Sequence, residues 1–293
     1  MSNQIPRDWR AQRLADMAKI GSSKRILQSE YVSEGVPFFR SKEVILRSKK
    51  QFIRDTLYIS KEKFSELKKK FGAPKQDEIL VTAVGTIGVI YLIEDLEFYF
   101  KDGNLLWIRE IDKTVSPSYL AKYLDSDVFQ TAIDRIAGGS NQAALTIEKL
   151  SELEFNIPLF AEQQKIAAIL TAVDDVIEST QAQINKLKDL KTGLMQELLT
   201  QGIGHAEFKD SPVGRIPKSW EVMTLSEVTN VIDSLHQTPI FSPTGYPMVR
   251  VTDIKSGKVN LKNTVKVDAL IFEEFIKKYK PVKNDLLMSR VGK

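Results

Sequence analysis

Three short stretches carry side chains suited to contacting a nucleic acid. Phe38-Phe39 leads into Arg40, Lys42 and Arg47, with Lys49 and Lys50 close behind. Cations at that density suit either a solvated face or a phosphate-contacting one. Gly138-Gly139-Ser140-Asn141-Gln142 is a polar run. Asparagine and glutamine can pair with adenine through two hydrogen bonds in the major groove, and the same composition also suits a surface linker. The third stretch, Thr82 followed by Gly85-Thr86-Ile87-Gly88, lacks the Gly-Lys-Ser/Thr ending of a phosphate-binding loop, so a tight hairpin is its plainest reading.

Residues for catalysis are not visible. The two histidines, His205 and His236, lie in different contexts and form no metal pair. Cysteine is absent, which removes thiol nucleophiles, thiolate metal sites and disulfides. There is no glycine-rich cofactor fingerprint, helicase motif or nuclease-like carboxylate cluster. Asn156-Ile157-Pro158-Leu159-Phe160 approaches the Asn/Asp-Pro-Pro-Tyr/Phe motif of adenine methyltransferases, but the second proline and the spacing are wrong. It reads as a strand end before a helix. No catalytic residue, metal ligand or cofactor is expected in this chain.

The elements that must position these stretches follow from periodicity. Residues 1–20 predict a turn, an anchoring Trp9 and a brief helix on Leu14, Met17 and Ile20. Residues 36–60 mix β-branched and aromatic residues and predict strands. Residues 60–71 predict a helix with Ser60 as N-cap, Phe64, Leu67 and Phe71 on one face, and Gly72-Ala73-Pro74 as its stop. Residues 78–93 predict two buried strands around the glycine turn, with 98–100 and 105–108 continuing the same sheet. A single helix is expected from Pro117 to about Ala137, and a terminal strand near Phe155.

The chain also repeats itself. Ile5-Pro6-x-x-Trp9 returns as Ile216-Pro217-x-x-Trp220 at an offset of 211, Gly35 to Arg40 returns as Gly245 to Arg250 at 210, and Glu78 to Gly85 returns as Asp285 to Gly292 at 207. A period this long means two copies of one domain rather than a solenoid. Between the copies, Ile166, Leu170, Val173, Ile177, Ile184, Leu187, Leu194 and Leu198, with Thr180 and Lys191 at the two seam positions that are not apolar, follow alternating steps of four and three, the heptad period of a coiled coil. A helix of this length reaches about 60 Å, and its apolar seam needs a partner helix. Expected domains are 1–157, a helical spacer 158–204, and a partial second copy 205–293.

Charge follows the repeat. Residues 1–50 hold 11 Lys/Arg against 5 Asp/Glu, residues 205–293 hold 14 against 10, and residues 161–204 hold 4 against 6. Both copies lean basic, as a phosphate-contacting surface would. Arg40 recurs as Arg250 while its basic neighbours do not, which suggests a shared structural or backbone role at this arginine and sequence reading by the divergent neighbours. No stretch reaches the roughly 18 apolar residues of a membrane span, and the N-terminus lacks a signal-peptide core, so a cytoplasmic protein is expected.

Several of these features occur together in one known family. The Ile-Pro-x-x-Trp opening, the glycine turn after a strand, Gly138 to Gln142, the run Pro158-Leu159-x-x-Glu162-Gln163-x-x-Ile166 entering a long helix, and Gly214-Arg215-Ile216-Pro217-x-x-Trp220 appear in an order that resembles the specificity subunit of type I restriction-modification systems. The resemblance implies an α/β (α+β) target-recognition domain, a long coiled-coil helix and a partial second recognition domain. It implies double-stranded DNA, methyltransferase (M) subunits and the restriction/translocase (R) subunit as partners, with AdoMet and ATP bound by those subunits and not by this chain. It places the glycine turn near the DNA-facing surface. The expected DNA contacts are then Arg40, Lys42, Arg47, Thr82, Thr86, Ser140, Asn141, Gln142 and Arg250. The chain departs from the family pattern in that the second copy is unfinished at Lys293 and no second helix follows. That leaves open an alternative: a non-catalytic interaction protein or half-subunit that self-associates through the helix, with DNA reading secondary.

Overall fold

The structure is a computed structural model and describes residues 6, 8–137, 144–233, 235, 237–255 and 257–289. It forms two compact units, Met1–Lys188 and Asp189–Lys293, divided within the long helix.

The first unit begins with β1 (Arg10–Arg13), α1 (Leu14–Met17), β2 (Lys19–Gly21), β3 (Tyr31–Val32), β4 (Val36–Phe39) and α2 (Ser41–Ser48). It continues through β5 (Leu57–Ile59), α3 (Lys61–Phe71), β6 (Ile79–Thr82), β7 (Ile90–Leu92), β8 (Tyr99–Phe100) and β9 (Leu105–Arg109). It closes with α4 (Pro117–Leu124), α5 (Asp127–Ala137), α6 (Ile147–Ser151), β10 (Glu154–Ile157) and α7 (Phe160–Gln201), whose last turns belong to the second unit. One four-stranded sheet runs β2-β9-β6-β7, all antiparallel; the other runs β3-β5-β4-β8, with β4 and β8 parallel. A separate ribbon pairs β1 with β10.

Both faces of the first sheet are covered, which explains the unbroken apolar runs in β6 and β9. Strand alternation sends Ile79, Val81, Leu106 and Ile108 to one core with α1, α4, α5 and α6. It sends Leu80, Leu105 and Trp107 to the opposite core, where they meet Phe39, Val44, Phe98 and Phe100. A third core lies on the far side of the second sheet, with Phe38, Ile59 and Tyr99 packed on Phe64 and Leu67 of α3.

Three expectations need correction. Residues 36–60 are not all strand, because α2 forms between β4 and β5: the Glu43 carboxylate reaches back to accept from Arg40 N at the start of the helix, and Glu43 and Val44 are buried. Residues 98–100 do not extend the sheet of β6; they pair in parallel with β4, a contact between segments some sixty residues apart. The helix expected from Pro117 to Ala137 is two, because Ser126 donates to the Tyr123 carbonyl while accepting from Gln130 at the start of α5. Other elements match. Ser60 accepts from Lys63 N and caps α3, Gly72 ends it, and α7 runs unbroken until Gly202, at φ +67°, caps it by bonding the Leu198 carbonyl.

The second unit, after α7, holds β11 (Phe208–Ser211), β12 (Gly214–Pro217), α8 (Leu225–Val228), β13 (Tyr246–Met248), β14 (Ile254–Lys255), β15 (Lys258–Val259), β16 (Val265–Val267) and α9 (Ala269–Ile276). Taken by itself it repeats the local geometry of the first. Trp220 N bonds the Pro217 carbonyl as Trp9 N bonds that of Pro6. Tyr246 pairs with Val267 as Val36 pairs with Ile59. Asp268 caps α9 as Ser60 caps α3, and the left-handed Asn284 stands where the first unit has Asp77. Leu286, Leu287 and Met288, opposite Ile79 to Val81 within the repeat, are exposed and form no strand.

Candidate nucleic-acid interface

The glycine turn is built on a buried threonine. Thr82 is fully buried; its hydroxyl donates to the Thr86 carbonyl at 2.5 Å and accepts from Val89 N at 2.9 Å, while its own carbonyl accepts from Gly88 N. These bonds close the 82–89 loop and leave Thr86 exposed at its tip. The expectation of a direct contact from Thr82 is therefore corrected: both capacities of its hydroxyl are engaged inside the loop, and it shapes the loop that presents Thr86.

The loop is tied to its surroundings on three sides. Gly88 O accepts from Gln130 Nε2 of α5 at 2.8 Å. Ala83 O accepts from Leu145 N, and Val84 forms a bridge with Ala144. Ala83 N donates to the Asn104 carbonyl at 2.9 Å, and Ser41 Oγ, at the start of α2, donates to that same oxygen at 3.4 Å. The turn between β8 and β9 thus joins the glycine loop to the N-terminus of α2. Ser140, Asn141 and Gln142 lie outside the described residues, but the flanking α5 and Ala144 both reach the glycine loop.

The cations divide between two ends of α2. Lys42 is exposed in its first turn, beside the Asn104 junction. Arg47 lies five residues on, about 7.5 Å along the helix axis, where its Nη2 pairs with Glu94 at 3.0 Å. Arg40 is bound to Glu43 through Nη2 at 2.7 Å and Nε at 3.1 Å, and its backbone N–H donates to the same carboxylate at 2.8 Å. Burial pushes the Glu43 carboxyl up, but the Arg40 hydrogen bonds and charge outweigh it and hold the group below its ordinary value. The same bond to Glu43 raises Arg40. The arginine expected to have a shared structural role has that geometry in both copies: Arg250 N donates to Asp253 at 2.8 Å, with Nε 3.4 Å away.

Arg40 also lines a shallow cleft of about 580 Å³ with Arg25, Tyr31, Leu57, Lys101 and Asn104. Arg25 pairs with Asp102 at 3.2 Å, which leaves the cleft with more cations than carboxylates. Arg25, Lys101 and Asn104 were missed by the sequence reading. Lys101 and Asn104 share the β8–β9 turn, some seventy-five residues from Arg25, and only the basic balance of residues 1–50 hinted at Arg25. Among the described residues, no group of His, Asp and Glu could hold a metal ion.

The seam of α7 is open. Ile166 packs partly against the first core, whereas Leu170, Val173, Ile177, Ile184, Leu187, Leu194 and Leu198 are exposed, from 40% at Ile184 to 64% at Leu187.

Comparison with known proteins shows the family to which the first unit and most of the long helix belong. Residues 6–189, more than half of the chain, match the family model described as type I restriction modification DNA specificity domain. A putative type I restriction enzyme specificity subunit, MjaX, from Methanocaldococcus jannaschii is 28% identical over 235 residues, covering 76% of this chain and 53% of the relative. The MjaVIII specificity subunit from the same organism is 22% identical over 281 residues, covering 94% of this chain and 61% of the relative. The HsdS subunit from Thermoanaerobacter tengcongensis, a crystal structure, aligns at a TM-score of 0.45 with 19% identity over 66% of this chain and 45% of that one. The chain spans about half the length of the curated relatives it matches. With its family model matched over residues 6–189, the chain belongs to the type I restriction-modification DNA specificity family.

Proposed function

We propose that this chain is a non-catalytic DNA-recognition subunit whose first unit reads one half of a bipartite site and whose long helix docks methyltransferase subunits. The observation that carries the reading is the Asn104 carbonyl, which accepts from Ala83 of the glycine loop and from Ser41 at the start of α2, so that the segments bearing exposed Thr86 and Lys42 are joined to a residue that lines the Arg25–Arg40–Lys101 cleft. Phosphate contacts from the cations set register, and loop side chains select bases over a half-site of about 3–5 base pairs. AdoMet and ATP belong to the partner subunits. Selection from random duplexes with methyltransferase subunit present tests the reading: one short motif should be enriched. Lys101→Gln should weaken binding evenly across sequences, reducing the salt slope by about 1, whereas Lys42→Gln, in the segment that diverges between the copies, should also change which motif is enriched. The absence of any enriched motif would refute it.

A second reading, an assembly protein with DNA contact secondary, is favoured by the exposed seam of α7. Sedimentation separates the two. A chain that joins M subunits or a second copy but enriches no sequence supports this reading over the first.

A further inference from the structure

We infer that Gln163 is the positioning residue that sets the direction and the facing of α7 where the helix leaves the first unit. Its side chain is 1% exposed and fully bonded. Oε1 accepts from Ser116 N at 2.8 Å, and Nε2 donates to the Thr114 carbonyl at 3.0 Å and the Pro158 carbonyl at 2.9 Å. Those three groups belong to the turn before α4 and to the exit from β10, so one amide ties the first turn of α7 to two other segments. Glutamate has no donor for the two carbonyls, and asparagine is one carbon shorter, so the position selects glutamine.

The neighbours of Gln163 along the helix complete the support. Ala167, one turn on, is 5% exposed and packs against the first core. Asp174 then pairs with Lys122 of α4, and Glu178 with Lys50 just past α2. At about 100° per residue, positions 163, 167, 174 and 178 fall within roughly 60° of one another. Seam positions 166, 170, 173 and 177 occupy a stripe about a quarter-turn away. The helix is therefore held by one face while the adjacent apolar face stays open, and the hold decides which way the seam looks. The two ion pairs are well exposed and individually weak, so the buried amide carries the alignment.

The consequence for DNA, which rests on the recognition reading, is that Gln163 sets how the first half-site is oriented on the spacer. The physical claim can be measured without DNA. The chain has no cysteine, so Gln76→Cys and Ala182→Cys, both exposed positions, accept spin labels selectively. The parent should give one narrow distance distribution. Gln163→Ala and the near-isosteric Gln163→Glu should at least double its width or shift its mode, with a fall in Tm of roughly 5–10 °C. An unchanged distribution in either folded variant overturns the inference. So does loss of any cooperative melt in both, which would make Gln163 a general core requirement. In complex with methyltransferase subunits, the parent should enrich one short motif, as the recognition reading requires. A parent that selects no DNA counts against the recognition reading, and the distance result still decides the role of Gln163.

Discussion

Removing the side chain of Arg40 should destabilise the first unit by about 2–3 kcal/mol at pH 7. Glu43 is fully buried, and the guanidinium supplies two of the three bonds it receives from Arg40. Breaking a buried pair from one side typically costs about 3–5 kcal/mol. The Arg40 side chain is 37% exposed, so water reaches the pair and the expectation is lower. The pH dependence has a definite sign. Glu43 is held below its ordinary value in the folded protein, so its pair contributes stability above the unfolded pKa, and that contribution is lost as pH falls through the folded one. In Arg40→Ala, burial acts almost unopposed and favours the protonated acid. The difference from the parent should therefore shrink between pH 7 and pH 4. Urea denaturation reads both quantities, with a midpoint drop of about 1 M at neutral pH. A loss below about 0.5 kcal/mol, or one that does not change with pH, would refute the reasoning. Arg40→Lys separates the two roles of this residue: a point charge preserves the potential of the cleft but cannot span both carboxylate oxygens, so DNA affinity should survive better than stability. Arg250→Ala should cost less, near 1 kcal/mol, because its Nε sits 3.4 Å from Asp253 and its side chain is 45% exposed.

Thr82→Val keeps the shape of the strand end but removes the hydroxyl bonded to Thr86 O and Val89 N. A loss of about 1–3 kcal/mol is expected in denaturant titration, against about 0.5 or less for exposed Thr86→Val; equal losses would sink the distinction. Gly35→Ala and Gly245→Ala each place a Cβ 2.2 Å from a carbonyl oxygen, that of Ile59 or Val267, at φ +151° and +115°. Both should cost well over about 1 kcal/mol in thermal melts, and a loss at one alone would break the equivalence of the copies. Leu187→Asp changes a side chain that is 64% exposed, so the chain's own stability should hold within about 0.5 kcal/mol. The mass of its assembly with M subunits or with itself should fall in sedimentation, and an unchanged mass would remove the seam from the interface.

Features set by near neighbours were legible in the sequence. Ser60 capping α3, the β6–β7 hairpin and the heptads of α7 each depend on residues only a few positions apart, where periodicity and capping chemistry act directly. Pairings across long separations were not. The link between β4 and β8 joins two short runs whose composition fits either sheet equally well. The helix α2 hid behind Val44-Ile45-Leu46, which reads as strand; the available signal was the three-residue spacing of Arg40 and Glu43, which lets the carboxylate accept from the Arg40 N–H at the helix start. The site was legible in the same partial way. Lys42 and Thr86 stand exposed at one junction. Arg47 is paired with Glu94 at the other end of α2, and Thr82 is sealed inside the loop. The cleft draws on residues 25–31, 40, 57 and 101–104, and no pattern along the chain links those positions.

The internal repeat separates frame from reader. In both copies a glycine lies against the carbonyl of the neighbouring strand, an arginine clamps an acid three residues on, and a polar cap starts the next helix. Between these landmarks the copies diverge. From Arg40 to Ser60 the chain forms the eight-residue α2 and a loop; from Arg250 to Asp268, two residues shorter, it forms a 3-10 turn and the β14–β15 hairpin. Lys42 and Arg47 fall opposite Thr252 and Gly257. Cations that served only to hold phosphate would be as useful in one copy as in the other, yet it is the clamp that recurs and the cations that do not. On the recognition reading, the glycine–arginine–acid clamp is the part that any half-site can share, and the segment hung between clamp and cap is where the two copies differ in what they read. Because the clamp and the cap bond locally at either end, the insert can change length and secondary structure without disturbing the pairing of β4 with β5 or of β13 with β16.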